Sequence, residues 1–379
     1  MSDLRNKNPE ACSFENAENL HSRFFSDKYR DLKAYTPGEQ PRVQQLIKLN
    51  TNENPWAPDP IVAERVAEEA GRLHLYSDPE CTELRKILAE KLGLHPENLL
   101  MTNGSDEALN FAFMAFCDMN HPAFFPDITY GFYPVFARVN QVPFHEIPLR
   151  EDWHIAPEDY YRCGGTVFLA NPNAPTGLLL TLAQIEDILR ANSDQVVVVD
   201  EAYVDFGGES AITLIRRYEN LLVTQTFSKS RSMAGLRLGF AAGSRALIRD
   251  LKTIQYSTNP YNVDRLAQAA GIACLEKDEI NRIHADEICA TREWTKEELL
   301  QRGFHATDSR ANFLFVRHEK FPGSALRDQL RGKGILIRWF DLERIRDWSR
   351  ISIGTREDME TLIRAVDQLL EEKDATGRD

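Results

Sequence analysis

Residues 196–203 read VVVVDEAY: four consecutive valines run into two carboxylates, an alanine and a tyrosine. A strand with one face in water alternates apolar and polar residues. An unbroken run of β-branched residues suits a strand buried on both faces, as in a parallel sheet covered by helices. The run ends on Asp200, and a charge at the edge of such a core needs a cationic partner or water.

Similar short apolar runs lie on either side, at Leu99–Thr102, Thr166–Ala170, Leu221–Thr226 and Leu238–Ala242. Helical patterns such as Leu182–Asn192 separate them. Strand–helix alternation predicts an α/β fold with a mostly parallel central sheet flanked by helices. Upstream, Ile61–Leu73 and Glu83–Gly93 read as helices, the latter with Leu84, Ile87, Leu88 and Leu92 on one face. Downstream, Ala267–Leu275 and Glu279–Gln301 are helical. The last 70 or so residues alternate again: Asn312–Val316, Gly323–Lys333, Ile335–Phe340, Arg350–Gly354 and an amphipathic helix over Arg356–Glu371. Thr355 and Asp358 form a capping box for that helix. The division expected is an N-terminal arm over 1–60 that joins a small α+β domain, a large domain over 61–275, and the rest of the small domain over 276–379.

Bulk properties narrow the function classes. The 379 residues carry a formal net charge of −13, with 42% hydrophobic and 27% charged residues, the balance of a globular protein. There is no basic tract of the kind that binds nucleic acid. No apolar stretch approaches the ~20 residues that span a bilayer. The first 20 residues are polar and lack the apolar segment of a secretory signal. The six cysteines, at 12, 81, 117, 163, 274 and 289, are scattered without ligand spacing. No metal site is expected, and a reduced, cytoplasmic setting fits.

In open α/β sheets chemistry collects in the loops after the strands. Four such loops stand out, and each alone has a plainer reading. Asn103-Gly104-Ser105-Asp106 turns from a strand into a helix, either a simple cap or an anion site at a helix N-terminus. Asn171-Pro-Asn-Ala-Pro-Thr-Gly177 is either a run of turn formers or a fixed backbone presenting Asn173. Asp200 is either a solvated strand end or the partner of a buried cation. In FSKSRSMAGLRLGF, residues 227–240, Lys229 is either a surface lysine or an imine-forming amine, with Thr226, Ser228 and Arg237 suited to a phosphate. Together these groups are those a pyridoxal 5′-phosphate site requires.

The stretches LNTNENP, LYSDPE, TNGSDEAL, DITYGFYP, NPNAPTG, VVVDEAY, TFSKSRSMAGLRLGF, ANFLF, GILIRWF and SRISIGT resemble the fold-type-I, class II pyridoxal-phosphate aminotransferases, and among them the histidinol-phosphate aminotransferases. The resemblance covers about nine-tenths of the chain. It implies that Lys229 forms the aldimine with the cofactor, Asp200 pairs with the pyridine nitrogen, Tyr203 bonds the ring O3′ and Tyr130 stacks on the ring. Gly104, Ser105, Asp106, Thr226, Ser228 and Arg237 would hold the phosphate. Tyr76 would reach the site of a second subunit, making a homodimer. Arg350 would clamp an anionic substrate end, with Arg338, Tyr35 and Asn52 nearby. The family carries asparagine just before Pro-Thr-Gly, where this chain has Ala174. Either Asn173 turns in to replace it, or Tyr203 holds O3′ alone.

The expected reaction is transfer of an amino group from a donor, histidinol phosphate foremost, to 2-oxoglutarate. Trp339 and Phe340 offer an aromatic edge suited to an imidazole or aryl ring, or simply belong to a core. Aromatic amino donors, or decarboxylation of an amino-acid phosphate on the same cofactor, are the enzymatic alternatives. A sensor module fused to a DNA-binding segment is disfavoured by the short, non-basic N-terminus. A nicotinamide dehydrogenase is disfavoured by the absence of GxGxxG.

Overall fold

The computed structural model describes residues 22–30, 32, 36–40 and 46–376. Its first strand, β1 (Ile47–Leu49), belongs to a sheet completed only at the far end of the chain. The next seven, β2 (Leu99–Thr102), β3 (Ala123–Pro126), β4 (Phe144–Ile147), β5 (Thr166–Ala170), β6 (Val197–Asp200), β7 (Leu221–Thr226) and β8 (Gly239–Gly243), form one sheet in the order β2-β8-β7-β6-β5-β3-β4. β8 is antiparallel to both its neighbours, and the remaining pairs are parallel.

The valine run is apolar throughout because both faces of the sheet are covered. Val197 and Val199 pack with helices α2 (Thr82–Leu92), α5 (Leu182–Ala191) and α7 (Arg265–Glu276). Val198 faces the other way, into α3 (Gly104–Phe116), α4 (Tyr133–Val139) and α6 (Arg245–Thr258). Successive side chains of a strand point to opposite faces, so one tetrad serves two cores. The strand itself starts at Val197 and takes in Asp200. The first of the sequence-predicted helices, α1, is Pro60–Ala70, capped by the Asp59 side chain on the Ile61 amide at 2.9 Å. Strands β3 and β4 and helix α6 have no counterpart among the predicted elements.

The second sheet runs β1-β11-β12-β10-β9, with β9 (His305–Ala306), β10 (Phe313–Arg317), β11 (Ile335–Trp339) and β12 (Trp348–Ser352). β1 lies parallel to β11, with Leu49 opposite Ile337. Its core gathers Leu314, Val316, Ile335, Ile337 and Ile351 with α8 (Asp278–Gln301), α9 (Gly323–Gly332) and α10 (Arg356–Thr376). At the start of α10, Thr355 and Asp358 cap each other reciprocally, at 2.9 and 3.2 Å.

The two sheets are locked together at the NPNAPTG loop. The Thr307 hydroxyl donates to the Thr176 carbonyl at 2.6 Å, and the Arg310 amide to the Gly177 carbonyl at 2.8 Å. Gly177 has φ +75°, and a Cβ there would lie 2.1 Å from Ser309 Oγ, so only glycine fits.

Candidate active site

β2, β5, β6 and β7 all point the same way, so their carboxyl ends meet on one edge of the sheet, joined there by the first residue of the reversed β8. The four loops singled out by sequence start at these ends. Ser105, Asp106, Tyr130, Ala174, Asp200, Tyr203, Thr226, Ser228, Lys229 and Arg237 line one cavity.

Asp200 forms its floor. It is 4% exposed and accepts from the Tyr133 hydroxyl at 3.1 Å and the Thr224 hydroxyl at 3.2 Å. Among the described residues it makes no salt bridge. Burial pushes its carboxyl up to about 6; the Asp106 carboxylate adds to this, and the two hydroxyls and the Ala202 amide oppose it. The same burial, with the Asp200 charge beside it, drives Tyr133 well above the usual phenol range. Neither Tyr133 nor Thr224 was expected from sequence. Tyr133 is the last tyrosine of DITYGFYP, and Thr224 is a polar residue inside an apolar strand, in register with Asp200. The neighbouring Glu201 turns away to Ser210, the Ala211 amide and Gln225, and burial raises it to about 7.

One wall is built for an anion. Helix α3 starts at Gly104 without a side-chain cap, leaving its first N–H groups directed outward. A Cβ on Gly104 would lie 2.6 Å from Arg237 Nη2, and one on Gly239 would lie 2.6 Å from the Ser105 amide nitrogen. Both glycines are needed for strand, helix and guanidinium to meet. Arg237 donates to Asp106 at 3.1 Å and to Ser228 Oγ at 3.4 Å, and the Thr226 and Ser228 hydroxyls are 2.9 Å apart. The Asp106 side chain also accepts from the Tyr130 hydroxyl at 2.6 Å.

Lys229 is half-buried, with Nζ 3.3 Å from the Thr51 carbonyl and 5.7 Å from the Tyr203 ring centre. Its backbone is held by Asn54, whose amide donates to the Lys229 and Ser230 carbonyls at 3.1 and 3.3 Å. The TNEN segment after β1 thus closes over the lysine, a contact no local pattern announces.

Two expectations need correction. Asn173 does not turn into the cavity: its amide donates to the Ile128 carbonyl at 2.9 Å and to Thr176 Oγ1 at 3.1 Å, and accepts from Thr129 at 2.7 Å. Its amide ties the loop to the segment after β3, and of the two residues only Ala174 lines the cavity. Asn52 is fully buried, and its amide is taken up by Tyr203 and Ser352 rather than offered to a substrate. Arg338 and Arg350 sit directly opposite each other on β11 and β12, both over the Phe340 ring, and Arg350 also over Phe313, which packs edge-on against Tyr203. Tyr35 lies outside the described residues. Tyr76 is 79% exposed, stacked on Tyr261 at 4.5 Å, and lines none of its own chain's cavity described above.

A buried carboxylate without a cation, an amine facing the same space, and a glycine-cleared anion cradle fit pyridoxal 5′-phosphate. They match its ring nitrogen, its aldehyde and its phosphate in turn.

Comparison with known proteins agrees. The sequence profile of the family described as Aminotransferase class I and II matches residues 44–366. Histidinol-phosphate aminotransferase of Acinetobacter baumannii is 45% identical over 350 residues, 91% of this chain and 97% of the relative. The crystal structure of histidinol-phosphate aminotransferase from Sinorhizobium meliloti in complex with pyridoxal-5′-phosphate superposes with TM-score 0.79 at 23% identity, covering 86% of this chain and 91% of that one. L-threonine-O-3-phosphate decarboxylase from Porphyromonas gingivalis gives TM-score 0.76 at 22% identity, covering 86% and 100%. At such identities the two structures speak to the fold alone, and the fold is common to both chemistries.

Proposed function

The chain belongs to the class I and II aminotransferases and is a pyridoxal-phosphate enzyme; from that premise we propose that it moves the amino group of histidinol phosphate to 2-oxoglutarate. The observation that carries this reading is the shared cavity of Lys229 and the cation-free, buried Asp200. The 45% identity to a histidinol-phosphate aminotransferase supports the donor. So do Arg338 and Arg350, paired across two strands around Phe340. Like charges directly opposite repel, and an anionic phosphate or carboxylate between them would relieve that repulsion beside a flat ring.

The cofactor, when bound, supplies an electron sink that stabilises negative charge on the substrate carbon. Asp200 would hold the ring nitrogen in its protonated form, its carboxylate stabilised by a cation that no described side chain supplies. Arg237, Thr226, Ser228 and the amides of Ser105 and Asp106 would bind the phosphate. Tyr130 would cover the ring, and Tyr203 would donate to O3′. Lys229 Nζ would hold the cofactor and, as general base, take up the proton that leaves the substrate carbon. Tyr76, exposed on a surface with Leu73 and Leu75, would enter the cavity of a second copy, giving a homodimer. No described helix is long and apolar enough to cross a membrane, and we place the enzyme in the cytoplasm.

A panel of amino donors with 2-oxoglutarate tests the reading. Histidinol phosphate should give keto product without CO₂. Conversion of an aromatic amino acid but not of histidinol phosphate would overturn the donor, and release of CO₂ would point to decarboxylation. Lys229→Ala should abolish turnover and the visible absorption band of the loaded enzyme.

A further inference from the structure

The hydroxyl of Tyr203 faces the cavity from the first sheet, yet the group that holds it comes from the second. Asn52 Nδ2 donates to Tyr203 Oη at 3.0 Å. Asn52 is itself fixed by Ser352 at the end of β12: its backbone amide donates to Ser352 Oγ at 2.8 Å, and Ser352 Oγ donates back to Asn52 Oδ1 at 2.8 Å. Asn312, just before β10, donates to the Asn52 carbonyl at 3.0 Å. Asn52 has φ +56°, a conformation asparagine tolerates better than most residues, so the whole residue is set to present one end of its amide.

The direction of these bonds is determined. Ser352 is 2% exposed, and its oxygen already accepts from the Asn52 backbone. Its proton needs an acceptor, and Asn52 Oδ1 is the one at hand. Turning the amide over would leave that buried proton without a partner among the described residues. With Oδ1 on Ser352, the NH₂ end must face Tyr203, whose oxygen then accepts. The phenol proton is left pointing into the cavity. The side chains of Ala174 and Asn173 provide no second donor or acceptor there, one being a methyl group and the other engaged with Ile128, Thr129 and Thr176.

We propose that Ser352 and Asn52 are positioning residues, forming a one-way hydrogen-bond relay that commits Tyr203 to act as a donor towards the bound cofactor. The relay rests on the reading of this cavity as the cofactor site. It ties a group in the first sheet to the last strand of the second, so the donor is in place only when the two are docked.

Asn52→Asp tests it. The substitution keeps the size, tolerates the left-handed backbone and still accepts from Ser352, but it presents an acceptor to Tyr203. The phenol proton should turn away from the cavity, imitating Tyr203→Phe. Cofactor dissociation constants, measured by fluorescence on cofactor-free protein, should rise about tenfold in each variant. Asn52→Asp should add no further rise in the Tyr203→Phe background. Both variants should shift the absorption maximum of the bound cofactor the same way. Ser352→Ala should weaken binding and Ser352→Thr restore it. If Asn52→Asp weakens binding equally with and without the Tyr203 hydroxyl, the relay is refuted and Asn52 is structural only. If Tyr203→Phe alone leaves binding and spectrum unchanged, the role of Tyr203 fails, and the relay with it. If Lys229→Ala nevertheless lacks the visible band of the loaded wild type, the cofactor reading stands and only the relay falls.

Discussion

Replacing Asp200 by asparagine should make the cofactor-free protein more stable while ruining its site. In the unfolded chain the carboxyl titrates near 3.8, and in the folded one near 6. Below the lower value both states hold the proton and nothing is lost. Between the two, the folded state binds more proton than the unfolded, so stability falls as pH rises, and it levels off above about 6. At ~1.36 kcal/mol per pH unit, the penalty carried by the aspartate is between about 1 and 2 kcal/mol at pH 5 and about 3 kcal/mol at pH 8. The asparagine amide can accept from only one of Tyr133 and Thr224, which returns about 1 kcal/mol. A net gain of about 2 kcal/mol is expected at pH 8 and under 1 kcal/mol at pH 5. Urea denaturation of cofactor-free wild type and Asp200→Asn, followed by tryptophan fluorescence at both pH values, measures it. Adding cofactor should reverse the order, because only the wild type gains the ion pair with the ring. An asparagine variant no more stable than wild type, or stabilised equally at both pH values, would refute the argument that Asp200 is an unpaired buried charge awaiting a cation.

Gly239→Ala should weaken cofactor binding at least tenfold and cost about 1–3 kcal/mol, since the new Cβ would sit 2.6 Å from both the Gly104 carbonyl carbon and the Ser105 nitrogen; an unchanged dissociation constant would show that the cradle can relax. For the proposed dimer, Tyr76→Ala and Lys229→Ala proteins, each impaired alone, should recover about a quarter of wild-type activity when refolded as an equal mixture. Half of the dimers are then mixed, and each mixed dimer carries one intact site. No recovery on mixing would place Tyr76 outside the partner's cavity.

Much of the site was legible because its chemistry is carried by short stretches at strand ends. VVVVDEAY contains both a strand and the carboxylate that the strand delivers, and the 227–240 stretch follows directly on the apolar run of β7, so placing the strand places Lys229. Asp200, Lys229, Arg237 and Ser105 therefore reached the cavity as the sequence suggests. The misreadings fell where a polar side chain had more than one possible partner. Asn173 and Asn52 are both amides in loops, and nothing local says which neighbours will take their bonds.

By itself, then, the sequence determined the α/β architecture and the cofactor class, and it singled out Asp200 and Lys229, which line one cavity, since strand periodicity and loop chemistry are written over a few consecutive residues. Only the tertiary structure decided that Tyr133 and Thr224 would hold Asp200, that the TNEN segment would close over Lys229, and that Ser352 would orient Asn52 towards Tyr203. Those partners lie 24 to 300 residues apart along the chain. The contacts to Asp200 depend on strand register and helix packing within the first sheet and the others on how the two sheets dock, and a hydrogen bond is specified by distance and direction in space rather than by order in the chain.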